Sequence, residues 1–124
     1  MIKVIEFAFT CYPVTDMARS RAFYEDIIGL RPTTVHDGET GSWTEYVLGD
    51  GAFATGRAPG WNPSADGASI AFEVEDFDAA IAALNEKGVH FKMEPFETPV
   101  CHMAFVSDPD GSAVCIHKRK PGHH

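Results

Sequence analysis

The sequence predicts an α+β fold made of two copies of a β-α-β-β-β unit, and three observations carry that prediction. Two aspartates placed to cap helices, Asp16 and Asp76, stand 60 residues apart. Each predicted helix follows one apolar, β-rich run and precedes three more, divided by turn signals such as Asp37-Gly38, Asp50-Gly51 and Asp108-Pro109-Asp110-Gly111. A connector rich in Pro, Gly and Ser, residues 58–67, separates the two copies.

In the first copy, the run 2–11 reads as a strand. Asp16 can accept from the free amides of a first helical turn. Met17, Ser20, Phe23, Tyr24, Ile27 and Ile28 then recur at helical spacing, which predicts a helix over 17–28 ended by Gly29. Strand-like segments follow at 31–36, 42–48 and 52–57.

The second copy repeats this order. Residues 69–74 form a strand, and Asp76 caps a helix over 77–87 whose apolar face is Phe77, Ala80, Ile81 and Leu84. Strands follow at 89–94, 102–107 and 113–117, the last two joined by the tight turn 108–111, with Pro and Gly where such a turn favours them. Neither half has enough core to stand alone, so one domain over 1–124 is expected, with modules 2–57 and 68–118 and a linker at 58–67.

Charge narrows the partners. Ten Lys and Arg against 18 Asp and Glu give a formal charge of −8, which repels phosphate backbones and argues against nucleic acid. No apolar run approaches the roughly 18 residues of a membrane helix, and the first residues lack a signal-peptide pattern. The three cysteines, Cys11, Cys101 and Cys115, form no CxxC pair, so reduced thiols in a cytoplasmic protein are expected. The final His123 and His124, native or the start of a purification tag, carry no weight.

Three segments, PVTDMARSRAFYEDIIGL, FEVEDFDAAIAALNEKGVHF and DPDGSAVCIH, the last preceded by ETPVCHMAFVS, give the chain a specific likeness. In this order, on a twofold repeat, it resembles the vicinal oxygen chelate superfamily, the glyoxalase / bleomycin-resistance / extradiol-dioxygenase group. The resemblance implies two βαβββ modules forming an open, cupped β-barrel, with helices outside and a ligand in the concave cavity. Each segment also has a plain structural role as helix core, cap or hairpin turn, so function must be argued from the cavity.

Strand alternation proposes the cavity residues. Ile70, Phe72 and Val74 form an apolar face for the helix, leaving Ser69, Ala71 and Glu73 inward. Val114 and Ile116 likewise leave Ala113, Cys115 and His117 inward. Laying Gly51 on Gly111 matches Thr55 to Cys115 and Arg57 to His117. The expected cavity set is therefore Thr55, Arg57, Ser69, Glu73, Cys115 and His117. Trp61 joins it because it sits in the connector, where a large aromatic has little reason to be unless it closes over a pocket or a partner chain. Trp43, Tyr46, Phe53, Phe91 and Phe105 can be pocket walls or core.

The resemblance implies metal ligands, His or Glu, at four symmetric positions: the start of each module's first strand and within its last. In this chain the second module offers Ser69 and Cys115, and the first offers Thr55 with either Glu6 or Phe9, depending on whether 10–13 carries an insertion. That is a poor set for a divalent ion, which needs about three imidazole or carboxylate ligands. No metal and no cofactor is expected. A Cys115/His117 nucleophile–base pair is conceivable but stretched, because i and i+2 on a strand stand about 6.5–7 Å apart. The sequence assigns no catalytic residue. It favours binding of a small organic molecule by a homodimer, with a metal-dependent lyase, isomerase or dioxygenase as the alternative.

Overall fold

A computed structural model describes residues 1–122; His123 and His124 lie outside the described residues. The chain divides into two compact units, 1–63 and 64–124. Each unit is one open four-stranded mixed sheet with a helix on one face.

In the first unit the strands are β1 (Thr10–Pro13), β2 (Thr34–Asp37), β3 (Ser42–Leu48) and β4 (Gly51–Arg57). They lie in the order β1-β4-β3-β2, with β1 parallel to β4 and the other pairs antiparallel. Helix α1 (Met17–Arg21) is capped by the Asp16 carboxylate, which accepts from the Arg19 amide at 3.1 Å. It continues as a π-helical stretch, Ala22–Ile27, in which the Ile28 amide reaches back five residues to the Phe23 carbonyl at 3.0 Å. Consecutive aromatics Phe23 and Tyr24 are both buried there, in edge-on contact at 5.0 Å. Tyr24, Tyr46, Phe53 and Tyr12 make the aromatic core under this helix.

The second unit repeats the plan with β5 (Ser69–Glu73), α2 (Phe77–Glu86), β6 (Phe91–Glu97), β7 (Cys101–Ser107) and β8 (Ala113–Arg119), in sheet order β5-β8-β7-β6. Asp76 caps α2 through the Ala79 amide at 3.0 Å. The helix packs on β8, with Leu84 buried, and Phe72, Ala104, Val106, Val114 and Ile116 are buried in the sheet. Sealing a side chain such as Leu84 from water contributes about 1.5–3 kcal/mol.

The first strand departs from expectation. Pairing begins at Thr10, opposite Phe53, two residues inside the start of β4. Residues upstream of 8 therefore run past the end of β4 and pair with no strand among the described residues; Ile2, Val4, Ile5 and Phe7 are almost fully exposed. The run 10–13, suspected of being an insertion, is the strand itself. The amides of Val14 and Val74 donate to Gly56 and His117 at 2.9 Å each, so the first strands of the two units superpose without a gap. By that register Phe9, not Glu6, is the counterpart of Ser69.

Candidate functional site

The two faces of each sheet are told apart by what touches the helix. In the second unit, Phe77 of α2 lies 5.5 Å from the ring of His102, and His102 shares its face with Ala104 and Val106. Their partners across the ladder put Val114, Ile116 and Phe72 on that helix face. The opposite, helix-free face carries Ser69, Ala71 and Glu73 of β5, Cys115 and His117 of β8, and Met103 and Phe105 of β7.

At the edge of this face, where β5 ends, stands a carboxylate–imidazole pair. Glu73 and His117 sit side by side in the parallel ladder, and Glu73 Oε1 is 2.5 Å from His117 Nδ1. Glu73 Oε2 accepts from the Arg119 backbone amide at 2.8 Å, with the Arg119 guanidinium 3.5 Å from Oε1. Partial burial pushes the Glu73 carboxyl upward, but the Arg119 amide, His117 and the nearby charges outweigh it and hold it below the usual carboxylate range. An ionised Glu73 can only accept, which fixes His117 Nδ1 as the donor of this bond.

Cys115 lies on the same face but is a different kind of group. It is 2% exposed, and its Sγ donates only to the adjacent Ile116 carbonyl at 3.7 Å. Burial, with a smaller contribution from Cys101, pushes its thiol up to about 11. A thiol so rarely ionised near neutral pH is a poor nucleophile. His117 Nδ1 is committed to Glu73, so no nucleophile–base pair forms between His117 and Cys115 among the described residues.

The first unit corrects the sequence reading of Thr55 and Arg57. The hydroxyls of Thr44 and Thr55 both donate to Met17 Sδ of α1, at 3.3 and 3.4 Å, and both threonines are fully buried. Thr55 therefore faces the helix; alternation starts Arg57 from the same side, but at the strand end its side chain reaches a hollow that Trp43 and Trp61 also line. The cause is hairpin length. Leu48 pairs directly with Gly51, leaving a two-residue turn, whereas Ser107 pairs with Ala113 across five residues. Gly51 thus lies in its strand while Gly111 lies in the turn, and superposing them slips β4 by one residue, which exchanges its faces. The counterpart of Cys115 is Ala54. Comparing the lengths of the two hairpin loops is the signal that identifies it.

The helix-free face of the first sheet carries Ala54 and Gly56 of β4, Trp43 and Glu45 of β3 and Cys11 of β1. Phe9 packs edge-on against Trp43 at 5.1 Å. Burial pushes the Cys11 thiol up to about 11. Trp61 lies against this face: a Cβ built on Gly56 would come within 2.7 Å of Trp61 Cζ3. Arg57, at the strand end, donates through Nη2 to the Gly38 carbonyl at 3.0 Å and to Ser42 Oγ at 3.1 Å. Tyr46 and Phe53 belong to the core, not to a pocket.

The four positions at which the family resemblance implies metal ligands thus read Phe9, Ala54, Ser69 and Cys115. A benzyl group and a methyl cannot coordinate, a serine hydroxyl is a weak ligand, and the one thiol is held protonated by burial. This donor set does not fit a divalent ion. Among the described residues, no three His, Cys, Asp or Glu side chains gather to hold one elsewhere.

The sequence model of the Glyoxalase/Bleomycin resistance protein/Dioxygenase superfamily matches residues 6–116. A search of curated proteins yields no match. Among solved structures, the chain is similar to a glyoxylase/bleomycin resistance protein/dioxygenase domain from Frankia sp. EAN1pec, with TM-score 0.78 and 21% identity over 98% of this chain and 97% of that one. It is similar to TnmS3, an antibiotic binding protein from Streptomyces sp. CB03234, with TM-score 0.76 and 23% identity over 97% and 100%. The trypanothione-dependent glyoxalase I of Leishmania major gives TM-score 0.76 and 22% identity over 93% and 87%. At these identities the likeness establishes the fold and leaves the ligand open.

Proposed function

The chain belongs to the Glyoxalase/Bleomycin resistance protein/Dioxygenase superfamily, and we propose that within it the protein binds a small organic molecule on helix-free sheet surface, without the metal site usual for the family. One observation carries this reading: the family's ligand positions hold Phe9, Ala54, Ser69 and Cys115, a set suited to contact with carbon rather than to coordination. One protein of similar fold is an antibiotic binding protein, which supports small-molecule binding as a role this scaffold can fill. In this reading the chain is one cytoplasmic domain over 1–124 that works as a homodimer.

The test joins metal analysis to a ligand screen on untagged protein. Dialysed protein is expected to hold no stoichiometric divalent ion, and its melting temperature to rise with apolar or aromatic compounds. Stoichiometric metal that survives dialysis and is lost in Cys115→Ala would overturn the reading in favour of a lyase, isomerase or dioxygenase. One feature favours such an enzyme: the Glu73–His117 pair, an oriented imidazole suited to move a proton. Turnover of a bound compound that disappears in His117→Ala would establish it.

A further inference from the structure

We propose that the first unit holds a binding site for a planar aromatic anion, an aryl carboxylate or phenolate, built from Trp43, Trp61 and Arg57. The inference rests on the small-molecule reading above and names the ligand class and the place.

The chain has two tryptophans, and both line one hollow of about 270 Å³ at the end of the first sheet, together with Arg57, His36, Ser42 and Gly41. This is the scale of a small ligand rather than of a drug-sized one. Trp61 is held there by its local sequence. Ala58-Pro59-Gly60-Trp61 is a tight turn, closed by the Trp61 amide on the Ala58 carbonyl at 3.1 Å. Pro59 takes the position that a fixed φ favours, and Gly60 takes the next at φ +83°, which disfavours any side chain. The turn lowers the indole onto Gly56, where the absence of a Cβ lets the ring approach the strand. Trp61 nonetheless remains 48% exposed, and it has no aromatic partner among the described residues. Trp43 stands directly across the ladder from Gly56 on the same face, its indole N–H turned to Glu45 Oε2 at 3.2 Å.

Charge selects the ligand. The protein carries −8, yet the formally charged side chain that lines this hollow is Arg57, with no acidic residue in its lining. Arg57 is pre-oriented. Nη2 is anchored on Gly38 and on Ser42, and Ser42 in turn donates to Asp37 at 2.8 Å. The remaining N–H groups of the guanidinium have no partner among the described residues. Two indoles and a fixed guanidinium lining one hollow match a flat ring system bearing an anionic oxygen.

The probe is 2-naphthoate, followed by titration calorimetry and by quenching of tryptophan emission. Saturable binding is expected, with Trp61→Leu and Arg57→Gln each weakening it about tenfold. Arg57→Lys, which keeps the charge but not the fork, should fall between. Gly56→Ala, which pushes the indole off the strand without removing it, should weaken binding and shift the emission to the red. The neutral 2-naphthalenemethanol should bind more weakly than 2-naphthoate to wild type and equally to Arg57→Gln. No saturable binding of 2-naphthoate, or binding indifferent to both Trp61→Leu and Arg57→Gln in folded protein, overturns the proposal. If other compounds then raise the melting temperature of all these variants alike, the small-molecule reading stands and this site alone falls. If nothing binds, both fall.

Discussion

Glu73 Oε1 lies 2.5 Å from Nδ1 of His117, two residues that neighbour each other in the parallel ladder between β5 and β8. The carboxylate is kept ionised by the Arg119 amide on its second oxygen, so it can only accept. His117 Nδ1 must then carry a proton. Nitrogen-15 spectra of wild type should show the Nδ1–H tautomer of His117 dominant, and Glu73→Ala should return the ring to the Nε2–H form that free histidine prefers. A wild-type ring already in the Nε2–H form would remove Glu73 from any role in orienting His117.

A second carboxylate is held in the first unit. Glu25 takes two bonds from Arg21, at 2.6 and 3.1 Å, and one at 2.9 Å from the hydroxyl of Tyr46, whose side chain is fully buried. The Arg21 bond, opposed by burial and joined by Tyr46, keeps the Glu25 carboxyl below its ordinary range. A depressed carboxyl contributes stability that is present above the unfolded value of 4.5 and is lost as pH falls through the folded one. Tyr46→Phe should therefore cost about 1.5–3 kcal/mol near pH 7, the range for a hydrogen bond to a charged group. The cost should shrink as pH drops below that value. Urea melts across the acid range test this, and a cost that does not change with pH would show that Glu25 is not the partner that matters.

How much of this was legible depends on how firmly each segment is pinned by local chemistry. The helices could be read because a cap and an apolar stripe fix both start and face; Asp16 and Asp76 bond the amides expected of them. The helix face of the second unit could be read because Ile70, Phe72, Val114 and Ile116 form one apolar side, and alternation puts Ser69, Glu73, Cys115 and His117 on the other. The first unit hid its face because its closing hairpin is shorter. One residue of slip carried Thr55 and Arg57 from the helix face to the open one. The run 2–11 could not be divided by pattern either. Its alternation continues through residues that pair and residues that do not, and only the length of β4 decides where pairing stops. The Glu73–His117 contact joins residues 44 apart, so no local pattern announces it.

The thiols carry an alkaline prediction. Burial pushes Cys11 and Cys115 each up to about 11 from an unfolded value of 9.0. Raised values mean that the folded state holds its protons more tightly. The stability this contributes is complete below pH 9.0 and is lost as pH rises through about 11. Cys115→Ala should flatten the loss of stability over that interval. In native protein at pH 8, iodoacetamide should modify Cys115 at least tenfold more slowly than in urea-unfolded protein, since the thiolate is the reacting form. Rapid native labelling of Cys115, read by mass spectrometry of its peptide, would show that the thiol is neither buried nor protonated.

The last prediction concerns the leading segment. Ile2, Val4, Ile5 and Phe7 are 93%, 82%, 83% and 94% exposed, an apolar run without a covering in the single chain. Water disfavours leaving so much contiguous apolar surface bare, and a β-rich segment with unpaired backbone is suited to add to another chain. In keeping with the homodimer proposed above, a second copy that covers this arm is the expected partner. Light scattering at micromolar concentration should give twice the chain mass. The double change Val4→Ser and Phe7→Ser lies outside both cores, so it should produce a monomer while leaving circular dichroism unaltered. A wild-type monomer at that concentration would remove the dimer, and a dimer untouched by the double change would move its interface away from this arm.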